Sequence, residues 1–243
     1  MTKMQGRFLF RPSVTSPSAS LPDWARVEYR ARVLREIPGL DASFLRARFE
    51  ADVAAEDSVT TGLAGHVESR EAAVLIPVHD GPHGVELVFV KRPDTAPTHP
   101  GDLAFPGGMR DAQDRDLAGT ALREAREEIG LDPSLVEILC PFPRRATMTS
   151  RVLVTPWVGW VSSLDGLVRQ EAEIAGILRV PLSDLTDPLS YHGEVWEVEG
   201  KQREMSFFSL GEHVAGDPDG DVIWGMTAAI LRRFLDLVFD FST

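Results

Sequence analysis

Apolar residues along this chain follow two different spacings in separate blocks. Ala72 to Val78 and Val85 to Val90 are short, nearly continuous apolar runs, separated by His79-Asp80-Gly81-Pro82-His83-Gly84. Runs of that length bounded by turn formers predict two strands joined by a loop. A Gly/Pro-rich stretch follows and ends in Phe105-Pro106-Gly107-Gly108. From Leu117 the spacing changes. Leu117, Ala118, Ala121, Leu122, Ala125 and Ile129 recur as one face of a helix. Asp114 or Asp116 can cap its start, Gly130 sits where a left-handed residue ends a helix, and Pro133 prevents continuation. Further apolar segments predict strands at 136–140, 152–161, 174–180, 194–199 and 205–210, then a last helix from Gly225 to Phe239. Interleaved helices and closely spaced strands predict an α+β fold, a mixed sheet with helices against both faces.

The first 70 residues follow another pattern. Residues 1–22 are rich in Ser, Pro and Arg and read as a loose leader. Trp24, Val27, Ala31 and Leu34 predict a helix capped by Asp23 and ended by Pro38, and Leu45, Phe49 and Val53 predict a second capped by Asp41. Residues 56–70 are polar and read as a linker. The expected organisation is a partly helical extension, 1–70, followed by a main domain, 71–243.

Composition narrows the function. No apolar run is long enough to span a bilayer, since Val152 to Val161 is broken by Thr155, Pro156 and Gly159. The amino terminus lacks a signal-peptide pattern. A single cysteine, Cys140, excludes an internal disulfide and a cysteine-rich zinc site, and reads as a small buried hydrophobe. These features predict a cytoplasmic protein without a membrane partner. The net charge of −12 argues against nucleic acid as a partner. A polyanionic substrate would be repelled unless cations and clustered arginines reversed the local field, and arginines outnumber lysines 22 to three.

Glu124, Glu127 and Glu128 stand at i, i+3 and i+4 on the central helix, beside its apolar face. Like charges at such spacing destabilise a helix by roughly 0.2–0.5 kcal/mol per pair. A solvated acidic stripe is one reading. A hard divalent cation such as Mg²⁺ or Mn²⁺ held on carboxylate oxygens is the other. Arg123, four residues before Glu127, is placed to orient a carboxylate.

The flanking residues favour the second reading. Arg123-Glu124-Ala125-Arg126-Glu127-Glu128-Ile129-Gly130-Leu131, with Gly107-Gly108 upstream, resembles the Nudix box, whose end reads R-E-U-x-E-E-x-G-U with U apolar. Asp114 replaces the family's first glutamate, and its spacing to Arg123 is one residue longer. Both departures resemble the coenzyme A diphosphatase-like branch. So do Arg92, His99, Gly101, Phe105 to Gly108, Val154-Thr155-Pro156, Val180-Pro181-Leu182 and Ile223 to Ala228. Pro93 and Pro97 depart from it, standing where the branch has Ser and a second Arg.

The resemblance covers residue 71 to the end. It implies the Nudix fold, a mixed β-sheet sandwiched between helices, and metal-dependent attack of water on a diphosphate. It implies Glu124, Glu127, Glu128 and the Gly108 carbonyl as ligands of Mg²⁺ or Mn²⁺, with Arg123 holding a glutamate. The general base is a box glutamate or a distant acid, for which Glu173 is the candidate and Glu171 its competitor. Arg92, Arg144, Arg145 and Arg151 are the candidate phosphate contacts. The implied substrate is coenzyme A or acyl-coenzyme A, giving adenosine 3′,5′-bisphosphate and (acyl-)phosphopantetheine. Pro97 keeps ADP-sugars, dinucleotides and nucleoside triphosphates open as alternatives, and a silent Nudix-fold regulatory module is a third. Many members are dimers, so a homodimer is the expected assembly.

Overall fold

A computed structural model of the chain describes residues 14–17, 22, 25–26, 29–56, 70–82, 84–147, 152–198, 200–210 and 221–239. The order of elements is β1 (Val14–Pro17), α1 (Arg30–Glu36), α2 (Ala42–Glu56), β2 (Arg70–Gly81), β3 (Gly84–Lys91), β4 (Leu103–Ala104), β5 (Gly107–Met109) and α3 (Leu117–Ile129). There follow β6 (Val136–Pro141), β7 (Arg145–Ala146), β8 (Val152–Val161), β9 (Gly176–Pro181), α4 (Leu182–Leu185), β10 (Tyr191–Val198), β11 (Lys201–Ser209), β12 (Val222–Ile223) and α5 (Gly225–Val238).

The unbroken apolar runs of β2 and β3 are explained by burial on both faces. Ala73, Leu75, Val88 and Val90 face Leu117, Ala121, Ala125 and Ile129 of α3. Their neighbours Ile76, Val78, Leu87 and Phe89 belong to the opposite core, with Leu45 and Phe49 of α2 and Leu231 and Phe234 of α5. Burying each large side chain contributes about 1.5–3 kcal/mol, so helices are driven onto both sides of the sheet. Glu86 is the buried charged residue of β3. Arg179 on β9 satisfies it with a 2.6 Å bond from Nε.

The main sheet runs β4-β3-β2-β8-β6, with β5 beside β2, β7 beside β8 and β9 beside β3. It is mixed, because β2 pairs with β8 in parallel while β3 and β5 pair with β2 antiparallel. A second, antiparallel sheet runs β1-β10-β11-β12.

Several elements differ from expectation. Within the supposed leader, Val14–Pro17 is a strand, because the β10 edge supplies a partner. The 79–84 loop is mostly strand, since the β2–β3 ladder extends to Gly81 opposite Gly84. The first helix begins at Arg30 and turns Val33 inward, leaving Ala31 and Leu34 exposed. Asp23, Trp24 and Val27 lie outside the described residues, as do the Val53 side chain and most of the 56–70 linker. β9 starts two residues late, because Ile174 N donates to Gln170 O in a turn. β10 starts early because Tyr191 pairs with Phe208, and β11 starts early because the hairpin pairs down to Val198 opposite Lys201.

Asp41 does cap α2, its Oδ1 accepting from Phe44 N at 2.7 Å. Phe49 then meets Phe142 and Phe234 with ring centroids 5.5 and 5.3 Å away. Cys140 is buried, which pushes its thiol up to about 12, so it packs as an apolar side chain.

Because Phe49 joins α2 to the main core, Phe49→Ala is expected to lower the unfolding free energy by roughly 3–5 kcal/mol. A urea titration reads this as a lower midpoint. A loss below about 1 kcal/mol would place α2 outside the cooperative core.

Candidate functional site

The site is built from the start of α3. The sequence offers two caps, and the structure uses Asp116, whose Oδ1 accepts from Gly119 N at 2.8 Å. Asp114 is thereby left for another partner. Its two oxygens accept from Arg123 Nε at 2.8 Å and Nη2 at 3.0 Å. Asp111 N and Thr120 Oγ1 also donate to it. The Arg123 guanidinium holds this carboxyl well below the usual carboxylate range, and Asp114 raises the arginine in turn. Both therefore stay charged.

Arg123 spends its remaining donors on the acidic stripe. Nη1 donates to Glu124 Oε1 and to Glu127 Oε2, each at 2.9 Å, and Nη2 donates to the Met109 carbonyl at 3.0 Å. One arginine thus joins the start of the helix, strand β5 and two glutamates.

Glu128 is buried and accepts from Gly107 N at 3.0 Å. Burial pushes it up to about 7, with the charges of Glu124 and Glu173 adding and the Gly107 N–H and Arg92 opposing. Glu124 is raised chiefly by burial, against the pull of Arg123, with Glu127 and Glu173 adding. Close approach requires both glycines. A β-carbon at Gly108 would lie 2.5 Å from the Glu124 carboxyl carbon, and one at Gly107 would lie 2.4 Å from the Ala73 carbonyl oxygen.

The loop after β8 brings in the distant acid. Val168 N donates to Ile129 O and Gln170 N to Glu128 O, so the loop is fastened to the end of α3. Glu173 follows directly, and its charge acts on both Glu124 and Glu128. Glu171 instead lies 3.6 Å from Arg169 and is exposed.

Of the candidate arginines, Arg92 reaches this field, since its charge acts on Glu128. Arg144 is exposed beside β7. Arg145 pairs with Val154, which packs with Ala72 and Met226 on the sheet face away from α3. Arg151 lies outside the described residues. The anchoring of Arg123 by Asp114 and the Gly107 N–H on Glu128 are contacts that sequence reasoning did not supply. The one signal for the first was Asp114 standing where the resemblance wants an acid.

The donors fit a hard divalent cation in kind. They are oxygens, two carboxylates are partly or largely buried, and burial raises both, with the charges of neighbouring acids adding. The glycine cradle leaves the room that side chains would fill. Among the described residues no three acidic, His or Cys side chains converge on one point. Arg123 holds Glu124 and Glu127, and the Gly107 N–H holds Glu128.

Residues 69–199 match the profile described as the NUDIX domain. The chain is 35% identical over 172 residues to NudL of Photorhabdus laumondii subsp. laumondii, an uncharacterized Nudix hydrolase, covering 70% of this chain and 86% of that protein. It is 34% identical over 174 residues to Nudix hydrolase 22, chloroplastic, of Arabidopsis thaliana, covering 70% of this chain and 56% of that one. Among solved structures it is similar to the NUDIX domain of Shewanella oneidensis NrtR complexed with ADP ribose. That likeness has a TM-score of 0.41 and 19% identity, covering 54% of this chain and 84% of that one.

If Asp114 holds the site through Arg123, Asp114→Asn should weaken Mn²⁺ binding by about 10–100-fold, as loss of a ligand's supporting contact does. Calorimetry on the folded variant checks it. Unchanged affinity would show that Arg123 is positioned without Asp114.

Proposed function

The chain belongs to the Nudix hydrolase family, and from that premise we propose that it cleaves the diphosphate of coenzyme A or acyl-coenzyme A. The products are adenosine 3′,5′-bisphosphate and phosphopantetheine or its acyl form. The observation that carries the diphosphatase reading is the carboxylate set of α3, pressed against Gly107-Gly108 and clamped by Arg123.

Glu124, Glu127 and Glu128, with the Gly108 carbonyl, would hold Mg²⁺ or Mn²⁺. Bound there, the ion supplies neutralisation of phosphate charge and a more acidic water. Arg123 keeps Glu124 and Glu127 oriented before loading. Arg92 offers positive charge for a phosphate beside Glu128. Glu173 is the proposed general base. It takes a proton from the attacking water as the new P–O bond forms, and the bridging P–O bond breaks to release the second phosphate. Its support is the fastening of its loop to Glu128 and Ile129.

Support for coenzyme A within the family is the resemblance at Arg92, Gly101 and Phe105 to Gly108. A second reading, another nucleoside diphosphate derivative such as an ADP-sugar, is favoured by Pro97. That residue is exposed on the loop and carries no charge where the branch has arginine.

Mass spectrometry of products, with and without Mg²⁺ or Mn²⁺, tests the substrate. The panel is coenzyme A, acetyl-coenzyme A, NADH, ADP-ribose, a dinucleoside polyphosphate and nucleoside triphosphates. Metal-dependent release of adenosine 3′,5′-bisphosphate, above turnover of the others, is expected. Preference for another member would replace the substrate and keep the chemistry. Glu127→Gln and Glu128→Gln should each abolish metal-dependent turnover, and full activity in both would remove the proposed metal site. Glu173→Gln should lower kcat by about 10²–10⁴ with metal affinity unchanged, while Glu171→Gln stays near wild type. The reverse pattern would transfer the role to Glu171.

A further inference from the structure

Asp221 stands immediately before β12, with its side chain 1% exposed. A buried carboxylate needs a compensating partner, and Lys91 Nζ supplies a cation at 2.5 Å. The backbone of Asp221 is fixed as well. Leu210 N donates to its carbonyl at 2.8 Å, and Val222 and Ile223 pair with Ser209 and Phe208 of β11. The carboxylate is therefore delivered to Lys91 from the second sheet. Neither residue of this pair belongs to the carboxylate set of α3.

Lys91, the last residue of β3, is a branch point. On one side it pairs with Gly176 of β9, and its carbonyl accepts from Ala175 N at 2.8 Å. On the other side it pairs with Leu103 of β4. Ala175 comes two residues after Glu173. At the other end of that turn, Glu173 N and Ile174 N donate to Gln170 O at 3.0 and 2.8 Å, and Gln170 N donates to Glu128 O at 2.8 Å. The Ile174 side chain is buried in the core that holds Val90 and Ile129. Glu173 thus sits between two backbone anchors. One is on α3 at Glu128, and the other is Lys91.

We propose that Asp221 is a positioning residue for the hydrolysis: through Lys91 it fixes the second anchor of the Glu173 turn, and with it the place of the general base. The inference rests on the assignment of Glu173 above. A general base must stand within about 2.6–3.2 Å of the water it deprotonates. A misplacement of about 1 Å, caused far from the chemistry, can cost about 10²-fold in rate. With the Gln170 anchor alone, the turn is free to pivot. The β4 branch leads on to Gly107 and Gly108, but that cradle has supports of its own. Gly107, Gly108 and Met109 pair with β2, and Leu75 N donates to Pro106 O at 2.8 Å. Loosening Lys91 therefore moves the base and spares the proposed metal ligands.

Two measurements on the full chain test this: turnover of whichever panel substrate the wild type cleaves best, and Mn²⁺ calorimetry. Asp221→Asn should lower kcat about 10–100-fold and leave Mn²⁺ affinity unchanged. Combined with Glu173→Gln, it should lower kcat almost no further, because a base that is gone cannot be misplaced. A loss that multiplies with that of Glu173→Gln would mark the pair as a structural staple only. That result, full kcat in Asp221→Asn, or a parallel fall in Mn²⁺ affinity would each overturn the proposal and leave Glu173 as the base. If Asp221→Asn fails to fold, Lys91→Met together with Asp221→Leu removes both charges without stranding either, and enters the same cycle. Full kcat in Glu173→Gln would sink the base assignment and the proposal with it.

Discussion

Arg123 is gripped on one side by both oxygens of Asp114 and on the other side grips Glu124 and Glu127. Without a cation, three glutamates within one turn of helix repel one another, and burial of Glu128 makes the repulsion worse. The guanidinium offsets it with a planar fork that a lysine ammonium lacks. Removing one partner from such a shielded pair generally costs about 3–5 kcal/mol, because the other charge is left uncompensated. Stability and readiness of the site thus hang on the same ion pair.

The rest of the fold supplies what that clamp needs. Strand β5 brings Gly107 and Gly108 beside Glu128 and Glu124, and it is held there by pairing with Ala72, Ala73 and Val74 of β2. β2 is in turn locked by β3, β8 and apolar layers on both faces. The sheet edge near the glycines is therefore rigid where the carboxylates must be placed. The loop carrying Glu173 is irregular, yet its backbone is bonded to the last residues of α3. Rigid elements carry the proposed ligands, and a fastened loop carries the proposed base.

The opposite face shows how far the cooperative core extends. α2 and α5 meet through Phe49 and Phe234, and the helices before residue 57 share the core that underlies β2 and β3. The Lys91–Asp221 pair joins the second sheet to the end of β3, next to Arg92. The end of β3 is thus held by a segment more than a hundred residues away in the chain.

Where contacts are local, the sequence was sufficient. α3 spans Leu117–Ile129, as its apolar spacing and the following Gly130 and Pro133 require, and β8 spans Val152–Val161, as its apolar run predicts. The placing of the three glutamates within one turn of α3 follows directly from helical periodicity. Tertiary structure decided everything that needed a distant partner. It assigned the cap to Asp116 and the anchor to Asp114, two residues of the same kind that only Arg123's position separates. It fastened the loop that leads to Glu173 onto the end of α3 by backbone bonds from Val168 and Gln170, and the charge of Glu173 acts on Glu124 and Glu128. It made a strand of Val14–Pro17 because β10 had an open edge. Periodicity records which face of an element is buried, but hydrogen bonds and charges are settled by whichever group the folded chain brings alongside.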